Sequence, residues 1–230
     1  MQTVFVTGAD RGIGLALCKY FLGGGWRVFA GQYMTHWKEL EALKYRYPDR
    51  LHLIPLDISG TESISEAAQL VKKKTDTLDM LVNCAGIAGF EDTPDQIRHI
   101  FRVNTLGTMC TVEYFLPLME RGLKRLCFVS SEAGSISVAH RTGVYGYGMS
   151  KSSLNMAVRM MFNQLQPKGY TFRLYHPGWV RSYMLGEEKA TVGKYEPEEA
   201  AQVAYESFVE NRECEDVLVM TDIQREMWPF

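Results

Sequence analysis

The sequence predicts an α/β fold, a doubly wound parallel sheet of about seven strands with helices on both faces. Three observations predict it. Short β-rich apolar runs alternate with longer helix-forming stretches along the chain, the pattern of a parallel sheet covered on both sides. The first run ends in a glycine-rich turn, Thr7-Gly8-Ala9-Asp10-Arg11-Gly12-Ile13-Gly14, that leads into a helix-forming segment. No linker, repeat or composition break divides the 230 residues, so residues 1–230 read as one domain.

The elements follow in order. Val4-Phe5-Val6 is a buried strand, and a helix runs from about Gly12 to Leu22 until Gly23-Gly24-Gly25 end it. Trp26 to Gly31 is the second strand, residues 37–47 a helix ended by Pro48, and Leu51 to Leu56 the third strand. Thr61 to Lys74 reads as a helix with Thr61 as its N-cap. Leu78 to Asn83 is the fourth strand, followed by helices over Pro94 to Val103 and Thr105 to Glu120. Leu126 to Ser130 is the fifth strand, and 131–144 a Ser- and Gly-rich loop. A long helix spans Tyr147 to Gln166, and Phe172 to Tyr175 is the sixth strand, stopped by His176-Pro177-Gly178. After a loop over 182–196, Pro197 opens a helix to Asn211, and Val217 to Met220 is the seventh strand.

Composition bounds the function. The chain is 46% hydrophobic and 23% charged, with a net charge of -2, a globular profile without the basic footprint of a nucleic-acid or anionic-membrane binder. No apolar run approaches the roughly 18 residues of a membrane helix, and the N-terminus lacks a signal peptide's basic and apolar regions. Cys18, Cys84, Cys110, Cys127 and Cys214 are scattered, odd in number and without CxxC spacing, so the expectation is reduced thiols in a cytoplasmic protein. The histidines are equally dispersed, which proposes no metal site. Lys72-Lys73-Lys74 reads as a solvated helix face.

The turn carries the first chemistry. Glycines at 8, 12 and 14 permit a tight turn, a close backbone approach to a pyrophosphate and close packing of helix on strand. The helix N-terminus adds free N–H groups and the positive end of a dipole. The spacing is G-x-x-x-G-x-G, which differs from the common G-x-G-x-x-G fingerprint.

Thr7-Gly8-x-x-x-Gly12-Ile13-Gly14, with Asp57, Asn83-Cys84-Ala85-Gly86, Asn104, Ser130-Ser131, Tyr147-Gly-Met-Ser-Lys151 and Pro177-Gly178 in that order, resembles the short-chain dehydrogenase/reductase family over essentially the whole chain. Ser131-Glu-Ala-Gly-Ser-Ile136, Lys151 to Met156 and His176 to Val180 look like the carbonyl-reductase branch that includes sniffer and the bacterial C-factor. The resemblance implies a Rossmann-like single domain, a nicotinamide dinucleotide cofactor, a small carbonyl or alcohol substrate, and a homodimer or homotetramer formed through the helices near 105–120 and 147–166.

It also implies roles for residues. Tyr147 and Lys151 stand i, i+4 on one helix face, where a nearby ammonium favours the phenolate and fits Tyr147 to move a proton. A serine holds the reacting oxygen by hydrogen bonding, as an oxyanion donor does. The family places it about thirteen residues before the tyrosine, which lands here on Gly134; Ser131 lies sixteen back, Ser130 seventeen and Ser135 twelve. Ser131 matches by its place at the end of strand five, with Ser135 the alternative and Ser130 a buried strand residue. Asn104 corresponds to the asparagine that holds a water beside the lysine.

For the cofactor, the resemblance assigns Gly8, Arg11, Gly12, Ile13 and Gly14 to the pyrophosphate and adjacent ribose, and Asp57 to adenine. Asn83, Ala85 and Gly86 fall beside the ribose, with Cys84 where the family often has asparagine. Tyr147 and Lys151 also face the nicotinamide ribose. Pro177, Gly178, Val180 and Ser182 correspond to the segment that holds the carboxamide. Residues 30–34, Ala-Gly-Gln-Tyr-Met, contain no acid for a ribose 2′-hydroxyl, and Arg11 suits a 2′-phosphate. NADP is therefore expected before NAD. The alternatives are a reductase of a specialised substrate such as a pterin, and a dinucleotide-binding sensor with little catalysis.

Overall fold

The computed structural model describes residues 1–186 and 188–230. Strands β1 (Thr3–Val6), β2 (Arg27–Gln32), β3 (Leu51–Pro55), β4 (Met80–Asn83), β5 (Arg125–Val129), β6 (Thr171–His176), β7 (Met220–Asp222) and β8 (Met227–Trp228) form one sheet. Its order is β3-β2-β1-β4-β5-β6-β7-β8. All neighbours are parallel except β7 and β8.

Side-chain alternation explains the two-sided core. Phe5, Phe29, Leu81 and Phe128 enter one buried cluster with Val112, Phe115 and Val158. Their neighbours Val4, Val6, Val28, Met80 and Cys127 enter the other with Leu17, Phe21 and Ala204. The first cluster lies under helices α3 (Thr61–Lys72), α5 (Thr108–Met119) and α6 (Tyr145–Leu165), and the second under α1 (Gly12–Gly23), α2 (Glu39–Arg46) and α7 (Pro197–Val209). Chain order reverses between β1 and β4, which opens a crevice at the carboxyl ends of the strands, where ligands of such sheets bind.

The architecture agrees with the sequence expectation, and four local features differ. The sheet has an eighth strand, because Asp222 Oδ1 accepts from Gln224 N at 2.9 Å and Glu226 N at 3.0 Å and turns the chain into a hairpin. That moves strand seven on to Met220–Asp222 and leaves Val217 60% exposed. Thr61 is not an N-cap; it lies inside α3, whose cap position is Gly60 without a side-chain bond. The two expected helices around Asn104 are one rod: α4 (Pro94–Phe101) passes through a π-helical turn, Arg102–Gly107, into α5. Lys72, Lys73 and Lys74 are exposed, as expected of a solvated face. No helix among the described residues is long and apolar enough to cross a membrane, and no group of three or more His, Cys, Asp or Glu among them is placed to hold a metal.

Candidate active site

Two pieces of backbone form the first side of the crevice. Gly8 and Gly12 have φ of +64° and +58°, which other residues rarely adopt. A Cβ at Gly14 would lie 2.0 Å from the Gly8 carbonyl oxygen, so only glycine lets α1 start this close to the turn. The space where a Gly12 Cβ would point is open. The first turn of α1 has no side-chain cap and no acidic residue, so its N–H groups face the crevice unneutralised, as a pyrophosphate requires. Thr7 Oγ1 ties the turn to β4 by accepting from Cys84 N and Ala85 N, both at 3.0 Å. These features fit a dinucleotide.

Arg11 borders this turn. It pairs with no carboxylate among the described residues. Its guanidinium donates to Met34 Sδ at 2.8 Å and to the Tyr183 carbonyl at 3.4 Å, and lies 5.2 Å from the Trp37 ring centre. Trp37 in turn meets the Tyr183 ring edge-on at 4.9 Å. Asp10 is buried and accepts from Tyr33 N through both oxygens, at 3.0 and 3.2 Å. It braces the end of β2 from the neighbouring turn. Burial raises its carboxyl against those backbone bonds.

On the second side, β5, β6 and α6 bring polar side chains together. Ser131, Tyr147 and Lys151 meet at the carboxyl end of β5, and Asn104 stands beside them. Lys151 is buried and its Nζ donates to the Val129 carbonyl at 3.0 Å. The ammonium lies 5.9 Å from the Tyr147 ring centre. Gly86 lies between: a Cβ there would be 3.4 Å from Asn104 Oδ1 and 3.6 Å from Lys151 Nζ. Asn104 sits in the π-turn, a common place for functional residues. Its Oδ1 accepts from Ile87 N at 2.8 Å, and its Nδ2 donates to Ile87 O at 2.8 Å and Ser150 Oγ at 3.0 Å.

Electrostatics departs from the expectation in one respect. The i, i+4 lysine was expected to lower Tyr147. In the free protein burial pushes the Tyr147 phenol up, opposed by hydrogen bonding with Ser131; Glu132 adds to the rise and Arg141 opposes it. Burial also lowers Lys151 to about 8. One desolvated environment thus disfavours both charged forms and weakens the ammonium that would stabilise the phenolate.

The serines separate clearly. Ser131 is buried at the end of β5, close enough to Tyr147 to influence its phenol. Ser130 points away and donates to Asn155 Oδ1 at 2.6 Å. Ser135 Oγ is buried without a partner among the described residues, and the residue lines a cavity together with Glu132 and Arg141. The loop packs tightly because a Cβ at Gly134 would be 2.7 Å from the Lys151 carbonyl carbon.

Other expected contacts surround the crevice. Asp57 follows β3, and its Oδ1 accepts from Ser59 N at 2.8 Å. Asn83 Nδ2 donates to Cys127 O at 3.2 Å, while its Oδ1 is buried and unpartnered among the described residues. Cys84 is half-buried, its thiol pushed up to about 12 by burial against the Lys151 charge. Pro177 and Gly178 (φ +74°) follow β6. A parallel bridge pairs Val180 with Tyr195. Met184 N donates to Ser182 Oγ at 3.4 Å.

Four site-lining residues carried no sequence signal of their own: Asp10, Trp37, Glu132 and Arg141. Asp10 and Glu132 fall inside stretches already singled out, the glycine turn and the segment after strand five, but only the fold gives any of the four a place in the site. Asp92 is a fifth: its Oδ1 accepts from Gly146 N at 3.1 Å, in the first turn of α6.

The chain matches the family model described as short chain dehydrogenase over residues 2–193. An uncharacterized oxidoreductase of Schizosaccharomyces pombe is 31% identical over 232 residues, covering 95% of this chain and 89% of the relative. The structure of an NADPH-bound carbonyl reductase from chicken fatty liver matches with a TM-score of 0.85 at 25% identity, covering 100% of this chain and 99% of the other. Carbonyl reductase Sniffer of D. melanogaster shares the fold, with a TM-score of 0.87 at 22% identity over 100% of both chains.

Proposed function

The chain belongs to the short-chain dehydrogenase family, and on that premise we propose that it is an NADP-dependent oxidoreductase that interconverts a small carbonyl compound and its alcohol. The convergence of Ser131, Tyr147 and Lys151 on the side of the crevice opposite the glycine turn carries this reading. When bound, the nicotinamide cofactor supplies or accepts the hydride.

The chain's own residues do the rest. Gly8, Gly12, Ile13 and Gly14 offer backbone to the pyrophosphate, with Asp57, Asn83, Ala85 and Gly86 along the adenosine side. Pro177, Gly178, Val180 and Ser182 flank the nicotinamide end. Tyr147 holds the proton given to the carbonyl oxygen or taken from the alcohol, and Ser131 holds that oxygen in place. Lys151 fixes the nicotinamide ribose and, by its charge, the state of Tyr147. Asn104 supports the relay by bracing Gly86 and Ile87 against α6. Ser131 is preferred to Ser135 because Ser131 acts on the Tyr147 phenol and Ser135 does not.

Two observations support NADP over NAD. No acid follows β2 in sequence, and Asp10, the acid nearest in space, is buried on backbone N–H groups. Arg11 has no carboxylate partner among the described residues and can turn to a 2′-phosphate. The chicken carbonyl reductase is NADPH-bound, which supports the same reading. We also propose a homodimer or homotetramer through α5 and α6, since Leu106 (59% exposed) beside α5 and Met156 (63%) and Met160 (65%) on α6 present apolar surface.

The test is titration with NADPH and NADH, then a panel of aldehydes and ketones with the tighter-binding cofactor. Tyr147→Phe is expected to lower turnover by about a thousandfold or more with cofactor affinity intact. Unchanged turnover in that variant overturns the mechanism. A clear NADH preference overturns the role of Arg11.

A further inference from the structure

The residue after Ser131 is a carboxylate, and its contacts leave the serine short of a proton. Ser131 Oγ donates to Glu132 Oε2 at 2.7 Å and accepts from Ala133 N at 3.1 Å. A hydroxyl has one proton and two lone pairs. In this geometry the proton is directed at Glu132 and one lone pair at Ala133. Yet an oxyanion-holding serine must donate.

Glu132 is itself held. Its other oxygen, Oε1, receives Arg141 in an ion pair. Its backbone N donates to His176 Nδ1 at 3.2 Å, and Oε2 lies 3.9 Å from that nitrogen. Burial alone would raise the Glu132 carboxyl, but bonds from Arg141 and Ser131 and the nearby charges hold it below its ordinary value. His176 is pushed down by burial, against the pull of Glu132 and Asp222. The carboxylate is therefore ionised at neutral pH, and its charge is counterbalanced by Arg141.

We propose that Glu132, clamped by Arg141, is a positioning residue that accepts the Ser131 hydroxyl's hydrogen bond in the free protein and so competes with the Tyr147 oxygen for that donor, weakening the bond that stabilises the phenolate. The inference rests on the reading of Tyr147 as the proton-carrying group. The resting site then keeps the proton on Tyr147, poised for carbonyl reduction. The charged groups among the described residues that bear on Tyr147 are Glu132 and Arg141 from the loop and Lys151 from its own helix.

The signs are opposite for the two partners, which makes a sharp test. Reduction needs protonated Tyr147, so its rate falls as pH rises through the phenol's ionisation. Glu132→Gln removes a negative charge and frees Ser131 to donate to the phenolate, so the alkaline limb of kcat moves to lower pH. Arg141→Gln leaves Glu132 uncompensated, so the limb moves to higher pH.

The experiment measures kcat against pH for the parent and both variants, with the carbonyl compound reduced fastest in the panel. At a pH on the parent's alkaline limb, Glu132→Gln is expected to fall about threefold below it and Arg141→Gln to rise about threefold above it. NADPH affinity should not change. The same opposed displacements should appear in the tyrosinate absorbance titration of the free protein, taken as the difference from Tyr147→Phe. Each variant carries the test alone if the other does not fold. Limbs that stay put, or move in one direction for both, overturn the inference while leaving the role of Tyr147 standing. A Tyr147→Phe variant with full turnover overturns both.

Discussion

The two sides of the crevice are made of different material. The β1–β2 side is backbone: a left-handed Gly8 and Gly12, a Gly14 that admits no side chain, and an uncapped helix start. The β5–α6 side is side chains in a buried polar cluster, with Tyr147 raised and Lys151 lowered by desolvation. A backbone site depends on shape and carries no buried titratable charge at the turn beyond Asp10. A side-chain site stores electrostatic strain, which reacting groups need and which costs stability.

The largest effect that would break this contrast is expected at Gly14. Gly14→Ala sets a methyl 2.0 Å from a carbonyl oxygen, and backbone on both sides cannot yield cheaply. We expect a loss of ~3 kcal/mol or more in stability, or a turn displaced far enough to weaken NADPH binding by about a hundredfold. Thermal denaturation with a fluorescence titration of NADPH measures both. Parent-like values in each would mean that the glycines do not set the shape of this side.

The next effect probes the strain on the other side. Lys151 ordinarily titrates at 10.5 but is lowered to about 8 in the fold. Between those values the unfolded chain binds the extra proton, so stability rises with pH across that window, and the full penalty acts below about 8. A shift of that size corresponds to roughly 3 kcal/mol. Lys151→Met removes the penalty. It also strands the Val129 carbonyl, a cost that does not vary with pH. Its stability relative to the parent, from denaturant melts of the free protein, should therefore be most favourable near neutral pH and decline as pH rises above about 8. A pH-independent difference would show that Lys151 is not strained by burial.

The same contrast explains what was legible in the sequence. Backbone requirements leave glycines, and glycines at 8, 12 and 14 announce themselves. The sheet was legible because strands buried on both faces become short apolar runs. The helix break was misjudged because Asn104 and its neighbours keep a helical pattern while the Asn104 amide bonds to Ile87 on another segment, and long-range contacts of this kind leave no local period. Thr61 has the right residue type for a cap, but the cap position falls one residue earlier, at Gly60. Strand seven slipped because its hairpin is set by Asp222, an acid in an otherwise apolar run. The serine could not be fixed by counting, since the loop between Ser131 and Tyr147 has its own length; proximity to the phenol favours Ser131. Glu132 and Arg141 are nine residues apart on a loop, a spacing that means nothing until the loop is folded.

The smallest expected effect separates the two sides most cleanly. Helix α6 starts without help from its own sequence: Val144 at the cap position has φ +61°, and it supplies no side-chain cap. A β-branched residue in that region is strained. The missing cap comes from Asp92, whose Oδ1 accepts from Gly146 N at 3.1 Å; its negative charge also suits a helix N-terminus. Asp92→Ala should cost about 1 kcal/mol. Because Tyr147 sits in that first turn, frayed backbone there should lower kcat a few fold. Asp92→Asn keeps the acceptor and should restore most of it. No hydrogen bond joins Asp92 to the glycine turn among the described residues, so NADPH affinity should stay at the parent value in both variants. A fall in cofactor affinity equal to the fall in kcat would show that the two sides of the crevice are coupled through α6, and that the division between a backbone site and a side-chain site is one of material only.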